Sequence, residues 1–210
     1  MMKVLIADDH AVVRRGLRGL LAEEFGKLKV GEAVDAHEAS ALLANGKWDL
    51  ALIDINMPGR SGLDVLIEAR RLHPRLPVLI LSAYPEEEFA LRAFKLGAAG
   101  YLNKQSAPDE LLVAVRKVMA GGKYVTAALA EKLAASLGGE LHQAPHEALS
   151  AREMEVLRLV AIGRTIKEVA TALGLSEKTI GTYRTRVSEK LGLSTNVELA
   201  RYALQHRLVE

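Results

Sequence analysis

Four short apolar runs constrain this chain more than any other feature, because each stops at a polar or charged side chain. Met2-Lys-Val-Leu-Ile-Ala7 runs into Asp8-Asp9, and Asp49-Leu-Ala-Leu-Ile closes on Asp54. Pro77-Val-Leu-Ile-Leu81 stops at Ser82, and Ala99-Gly-Tyr-Leu102 ends near Lys104. Continuous apolar segments of this length, each followed by a helical pattern, read as buried parallel strands. Parallel strands put all their carboxyl ends on one edge of the sheet, and open α/β sheets bind ligands at that edge. The four runs therefore bring three carboxylates, a hydroxyl and an ammonium to one crevice. That set can bind a divalent metal and handle a phosphoryl group.

The first 120 residues alternate strand and helix five times, with helices predicted over 10–24, 36–45, 61–73, 86–96 and 107–120. Ser61 with Asp64, and Ser106 with Asp109, form capping pairs just before apolar-periodic stretches. Pro85 and Pro108 fall in first turns, where a missing N–H costs little. Five βα units of this length imply a doubly wound α/β sheet with helices on both faces. The character changes after Gly121-Gly122. Residues 126–137 suit a helix with Leu129, Leu133 and Leu137 on one stripe, and Gly138-Gly139 and Pro145 mark 138–147 as linker.

From Ser150 onward the pattern is all-helical. Ser150–Glu153, Thr165–Glu168 and Thr195–Glu198 read as capping boxes, with Ser176 a further N-cap. Gly163, Gly174 and Gly192 stand where helices should end. Four helices result, over 151–162, 166–173, 177–191 and 196–206. Only Gly174-Leu175-Ser176 separates the second from the third, which is the helix-turn-helix signature.

Charge divides in the same way. Residues 1–122 carry 16 Lys/Arg and 16 Asp/Glu, whereas residues 148–210 carry 10 and 7. The excess is concentrated at Lys178, Arg184, Arg186 and Lys190, opposed there by Glu189 alone. This is a modest footprint for a polyanion. With no cysteine the chain has no disulfide and no thiolate metal site, which suits a reducing cytoplasm. No apolar run approaches the ~18 residues of a membrane span, and the short N-terminal run into Asp8-Asp9 makes a poor signal peptide.

In the crevice, three neighbouring carboxylates repel one another unless a cation neutralises them. Oxygen donors without cysteine point to Mg²⁺ or a similar hard ion. Asp54, at the end of a central strand, is the candidate nucleophile. Lys104 would offset charge on a transferring phosphoryl group, and Ser82 could donate a hydrogen bond to it.

Residues 1–122 resemble the receiver domain of bacterial two-component response regulators. The matching motifs are Asp8-Asp9, Asp54 with Met57-Pro58 and Gly62, Ser82-Ala83, and Gly100-Tyr101-Leu102-Asn103-Lys104. Residues 148–210 resemble the LuxR-type helix-turn-helix of the NarL/FixJ class through Leu149-Ser-Ala-Arg-Glu153, Lys167-Glu-Val-Ala170, Leu175-Ser-Glu-Lys-Thr-Ile180 and Lys190-Leu191-Gly192. The resemblance implies a flavodoxin-like five-stranded receiver over 1–122, a partly helical linker over 123–147, and a four-helix DNA-binding domain over 148–210. It further implies that Asp54 accepts phosphate from a sensor histidine kinase. Asp8, Asp9, Asp54 and the backbone carbonyl of Asn56 would bind Mg²⁺, and Ser82 and Tyr101 would form a switch pair. Asn56 and Tyr84 occupy positions that tune dephosphorylation in this family.

In 177–191, Ile180, Val187 and Leu191 form the core stripe, flanked by Tyr183 and Arg184. Lys178, Thr182, Thr185 and Arg186 face outward as candidate contacts to double-stranded DNA, joined by Lys167 and Lys190. Gly181 and Tyr183 depart from the family's commonest residues at positions that bear on base readout. The last helix carries Val197, Ala200, Ala203 and Leu204, a candidate homodimer contact. His142 and His146 are four apart, but Pro145 argues against a helical metal pair.

The expected function is a DNA-binding transcription regulator that dimerises on phosphorylation. One alternative keeps the receiver as a phosphorylation-independent dimer platform. Another is an aspartyl-phosphate phosphatase, which Asn56 disfavours because an acidic proton donor would be needed there.

Overall fold

A computed structural model describes every residue except 59, 85, 106, 107, 128, 132, 134–143, 207 and 210, and the side chains of 87 and 88. Pro85, Ser106, Leu137, Gly138, Gly139 and His142 therefore lie outside the described residues. The chain forms two compact units, residues 1–141 and 142–210.

The first unit is a parallel five-stranded sheet: β1 (Met2–Ala7), β2 (Leu28–Ala33), β3 (Leu50–Asp54), β4 (Val78–Ser82) and β5 (Gly100–Asn103), in the order β2-β1-β3-β4-β5. Helices α1 (Ala11–Phe25), α2 (Ala36–Asn45), α3 (Gly62–Leu72), α4 (Glu86–Lys95) and α5 (Pro108–Met119) alternate with the strands. Successive strand residues point to opposite faces. Val4, Ile6, Leu50, Leu52, Leu79, Leu81 and Leu102 pack with Leu17 and Leu21 of α1 and with Leu111, Ala114, Val115 and Val118 of α5. The alternate set, including Leu5, Ala51, Ile53, Val78 and Ile80, is equally buried and faces the other side of the sheet. A strand buried on both faces has no polar alternation, which is why the runs read as unbroken apolar segments. Beyond α5, residues 127, 129–131 and 133 are helical, at the start of the helix predicted over 126–137.

The second unit contains α6 (Ala151–Ala161), α7 (Ile166–Leu173), α8 (Glu177–Leu191) and α9 (Asn196–Gln205). Three reciprocal capping boxes form at Ser150/Glu153, Thr165/Glu168 and Thr195/Glu198, and Ser176 Oγ accepts from the Thr179 N–H. Gly174 ends α7 with φ 64°, a left-handed conformation that glycine adopts without steric cost. This lets the N-cap of α8, Ser176, stand two residues later. Residues 145–148 differ from the irregular linker expected there. They wind into one 3₁₀ turn, Pro145–Ala148, with proline at its first position, where no N–H is needed.

Candidate functional site

Strand register builds the pocket. Ala7 pairs with Ile53, Asp54 with Leu81, and Ser82 with Asn103. Residues ending or just following β1, β3, β4 and β5 thus reach one edge. Asp8, Asp54 and Ser82 are buried there. Lys104 Nζ lies 2.7 Å from Asp8 Oδ2 and 2.7 Å from Asp54 Oδ2. Asp54 Oδ1 accepts from the Asn56 N–H at 3.1 Å. A Cβ on Gly62 would stand 1.9 Å from the Asp54 carbonyl oxygen, so only glycine lets α3 begin beneath the acid.

Burial pushes the Asp54 carboxyl up to about 6; Lys104 opposes that rise, and Asp8 adds to it. Burial acts against the Lys104 charge, but Asp54 and Asp8 outweigh it and the ammonium is raised. One ammonium among three carboxylates leaves excess negative charge in the pocket. A divalent cation would remove that excess. Asp8, Asp9, His10 and Asp54 each present one ligand atom, all within 4.8 Å of one another. Asn56 Oδ1 is buried with no hydrogen-bond partner among the described residues. The donors are oxygens apart from one imidazole, which fits a hard cation. His10, read from sequence only as a first-turn residue, sits with Nδ1 against Asp9 and 3.3 Å from Asp8 Oδ1.

Tyr101 is buried, and its hydroxyl donates to the Tyr84 carbonyl at 3.2 Å. The Tyr84 N–H donates to Ser82 Oγ at 3.0 Å. Ser82 and Tyr101 are thus joined through one turn.

In the second unit, Lys178, Thr182, Thr185 and Arg186 are exposed on α8, and Lys167 on α7. The Thr182 and Thr185 hydroxyls donate to the Lys178 and Gly181 carbonyls, leaving their oxygen lone pairs open to a donor. A Cβ on Gly181 would meet nothing within 4 Å, so packing inside this unit does not require glycine there. Arg184 donates to Asn196 Oδ1 and the Ser194 carbonyl, fastening α8 to the turn before α9.

Two expectations need correction. Lys190 does not present its ammonium as a free DNA contact. Nζ is 2.6 Å from Glu153 Oε2 and 3.2 Å from the Ala148 carbonyl, because a buried carboxylate draws in the nearest cation. Ala203 is not available to a partner, because it is fully buried within its own unit. Val197 and Leu204 are 78% and 57% exposed, and Ala200 is half-buried. The His146 ring lies tilted against that of His206, centroids 5.0 Å apart, and bonds through Nδ1 to the Tyr202 hydroxyl at 3.0 Å.

The Lys190–Glu153 pair has a stability signature. Burial raises the Glu153 carboxyl, but Lys190 and the Ser150 N–H outweigh it and hold it below its ordinary value. Its stabilising effect is therefore present above the ordinary glutamate range and lost as pH falls through the lowered value. Lys190→Met should destabilise the full chain by about 1–3 kcal/mol, less than a fully buried pair because Lys190 is partly exposed. Glu153→Gln/Lys190→Met should cost less than the two single changes added, as urea unfolding would reveal.

Comparison with known proteins follows this division. Residues 4–116 match the response regulator receiver domain, and residues 147–203 match the bacterial regulatory proteins of the luxR family. Response regulator GacA of Pseudomonas aeruginosa is 36% identical, covering 100% of this chain and 99% of its own. RcsB from Salmonella enterica serovar Typhimurium, solved on promoter P1flhDC with phosphomimetic BeF3-, is similar at TM-score 0.57 and 30% identity over 96% of this chain and 97% of that one. A structure of two RcsB dimers on two parallel DNAs is similar at TM-score 0.57 and 28% identity over 97% and 98%. The chain belongs to the response regulators that join a receiver domain to a LuxR-family helix-turn-helix.

Proposed function

We propose that the receiver comprises residues 1–122, that residues 148–210 bind DNA, and that phosphorylation of Asp54 by a sensor histidine kinase switches between two states. The observation that carries this is the buried Asp54 carboxylate held 2.7 Å from Lys104 in a pocket with excess negative charge. Asp8, Asp9 and Asp54, with the Asn56 backbone carbonyl, would hold Mg²⁺, which supplies neutralising charge to phosphoryl oxygens.

Raised to about 6, the Asp54 carboxyl is ionised at pH 7 and more basic than an ordinary carboxylate. One oxygen attacks the phosphorus of a phosphohistidine, the P–N bond breaks, and its electron pair stays on the imidazole nitrogen, which is then protonated by solvent. The product is an acyl phosphate on Asp54. Lys104 pairs with the new oxygens, and Ser82 turns its hydroxyl toward them. Loss of the phosphoryl group to water resets the site, so the chemistry is confined to the protein's own modification.

At the other end, Lys178 and Arg186 contact phosphates while Thr182 and Thr185 face base edges, and Lys167 adds a phosphate contact. Two recognition helices suit a twofold site, so the DNA-bound form is a dimer, with exposed Val197 and Leu204 available to its contact. Such a regulator works in the cytoplasm. No described helix is long and apolar enough to cross a membrane.

Selection from a random DNA pool tests the reading. A twofold-symmetric site should be enriched, and phosphodonor with Mg²⁺ should tighten its binding at least tenfold. Failure to retain DNA under either condition would overturn it. Equal affinity for wild type and Asp54→Ala would instead favour a constitutive dimer platform.

A further inference from the structure

Glycine inside a helix needs a reason, because only proline is less favourable there. Gly181 lies within α8, with helical residues on both sides. It is not among the glycines with positive φ, so the backbone does not call for it. A Cβ there would meet nothing within 4 Å, so no neighbouring side chain calls for it either. Neither the fold nor the packing of this unit accounts for the glycine.

Its position puts the gap on the side of α8 that faces away from the core. Ile180 and Val187 mark the buried face of the helix. At about 3.6 residues per turn, Gly181 falls on the outer half. Glu177 and Lys178 lie one turn before it, and Arg184 and Thr185 one turn after. Glu177, Lys178 and Thr185 are exposed. Arg184 is drawn toward the turn before α9 by Asn196 and the Ser194 carbonyl. What remains between them is a notch one side chain wide, floored by the Gly181 Cα.

That floor offers no free polar group. The Gly181 N–H and carbonyl belong to the helical ladder, and the carbonyl also accepts the Thr185 hydroxyl at 3.1 Å. A phosphate entering the notch would find no donor beneath it and would face the Glu177 carboxylate. A hydrogen-bonding base atom would give up water without gaining a partner, which is costly. The base edges of the major groove carry one apolar group, the C5 methyl of thymine.

We propose that Gly181 is a specificity-determining residue whose missing side chain seats a thymine methyl, so that each half-site carries a T·A pair opposite the notch. This rests on the DNA-binding reading of residues 148–210. The methyl carbon would pack about 3.5–4.0 Å from the Gly181 Cα, in space that any long side chain at 181 would fill. Lys178 on one side holds a phosphate and Thr185 on the other meets a base edge. The notch between them selects for shape where those two select by charge and hydrogen bonding.

Duplexes carrying the site selected by the wild-type chain test this. Each thymine of one half-site is replaced in turn by deoxyuridine, which lacks only the C5 methyl. At one position the full-length wild type should bind about fourfold more weakly, the worth of one buried methyl group. Gly181→Gln fills the notch and should bind the thymine and deoxyuridine duplexes equally at that position. Glutamine is a good helix former, so thermal unfolding of the variant should come no earlier than that of wild type. Earlier unfolding would mean that the fold itself needs the glycine, and would overturn the proposal. So would deoxyuridine tolerated at every thymine by the wild type, or a thymine preference that survives in Gly181→Gln; in both cases DNA binding stands. Failure to select any DNA removes the DNA-binding reading, and the notch falls with it.

Discussion

Asp54→Asn should abolish phosphoryl uptake from a small-molecule donor with Mg²⁺ and, in the same protein, raise thermal stability in metal-free buffer. The first effect follows from loss of the nucleophile: an amide oxygen at the end of β3 cannot form a stable acyl phosphate. The second follows from the carboxyl being pushed from 3.8 to about 6, chiefly by burial. For an acid raised in this way, the folded state binds protons more readily than the unfolded chain, so ionisation costs stability. At 1.36 kcal/mol per unit, the cost at pH 7 is about 3 kcal/mol. Asparagine removes it but leaves Lys104 with Asp8 as its remaining carboxylate contact, so a gain of about 1–2 kcal/mol is expected. The sign with pH is fixed. As pH falls, the wild-type cost begins to shrink near 6 and is gone below about 4, so the two proteins converge. Mg²⁺ should raise the wild-type midpoint through preferential binding to the folded state and do much less for Asp54→Asn. Calorimetric scans from pH 4 to 8, paired with intact-mass measurement after donor treatment, check both effects. An Asp54→Asn protein that still gains one phosphoryl mass, or that is less stable than wild type at pH 7, would contradict the account.

The pocket was readable in sequence because parallel strands convert four run endings into one place. Nothing beyond strand direction was needed to gather Asp8, Asp54, Ser82 and Lys104. β2 left no such trace. Its outer position in the sheet tolerates Lys29, Gly31 and Glu32, so Leu28–Ala33 is half-exposed and has no unbroken apolar run. Capping boxes were equally readable, because each is a local pair three residues apart. What stayed hidden depends on partners distant in the chain. Glu153 looked like a cap and Lys190 like a DNA contact, and only folding brings them within 2.6 Å. Ala203 and Leu204 are neighbours on an apolar helix, yet a single step around α9 buries one and exposes the other. Glu86 and Thr126 carry no motif, and the hydrogen bond between their side chains depends on where the chain turns after Gly121-Gly122.

That difference between Lys190 and its neighbours makes the DNA interface testable by charge alone. Lys178→Ala/Arg186→Ala should weaken DNA binding by about 10- to 100-fold at moderate salt. Both side chains are exposed on the outer face of α8, where they can displace condensed counterions. Each phosphate contact contributes about one to the slope of log affinity against log salt, so the double variant should flatten that slope by about two. Lys190→Met removes a formal charge from the same helix, yet its ammonium is committed to Glu153 and the Ala148 carbonyl. It should lower stability while leaving the salt slope of the folded protein nearly unchanged. Thr185→Ala should leave the slope unchanged too, but narrow the affinity gap between the selected site and a scrambled one, because a hydroxyl at a base edge carries sequence information and no charge. Fluorescence anisotropy on selected and scrambled duplexes, from 50 to 300 mM salt as a working range of the order used for such slopes, separates the three cases. If Lys190→Met flattens the slope as much as loss of Lys178 does, the inward pairing does not govern Lys190 at the DNA, and the outer face of α8 must be redrawn to include it.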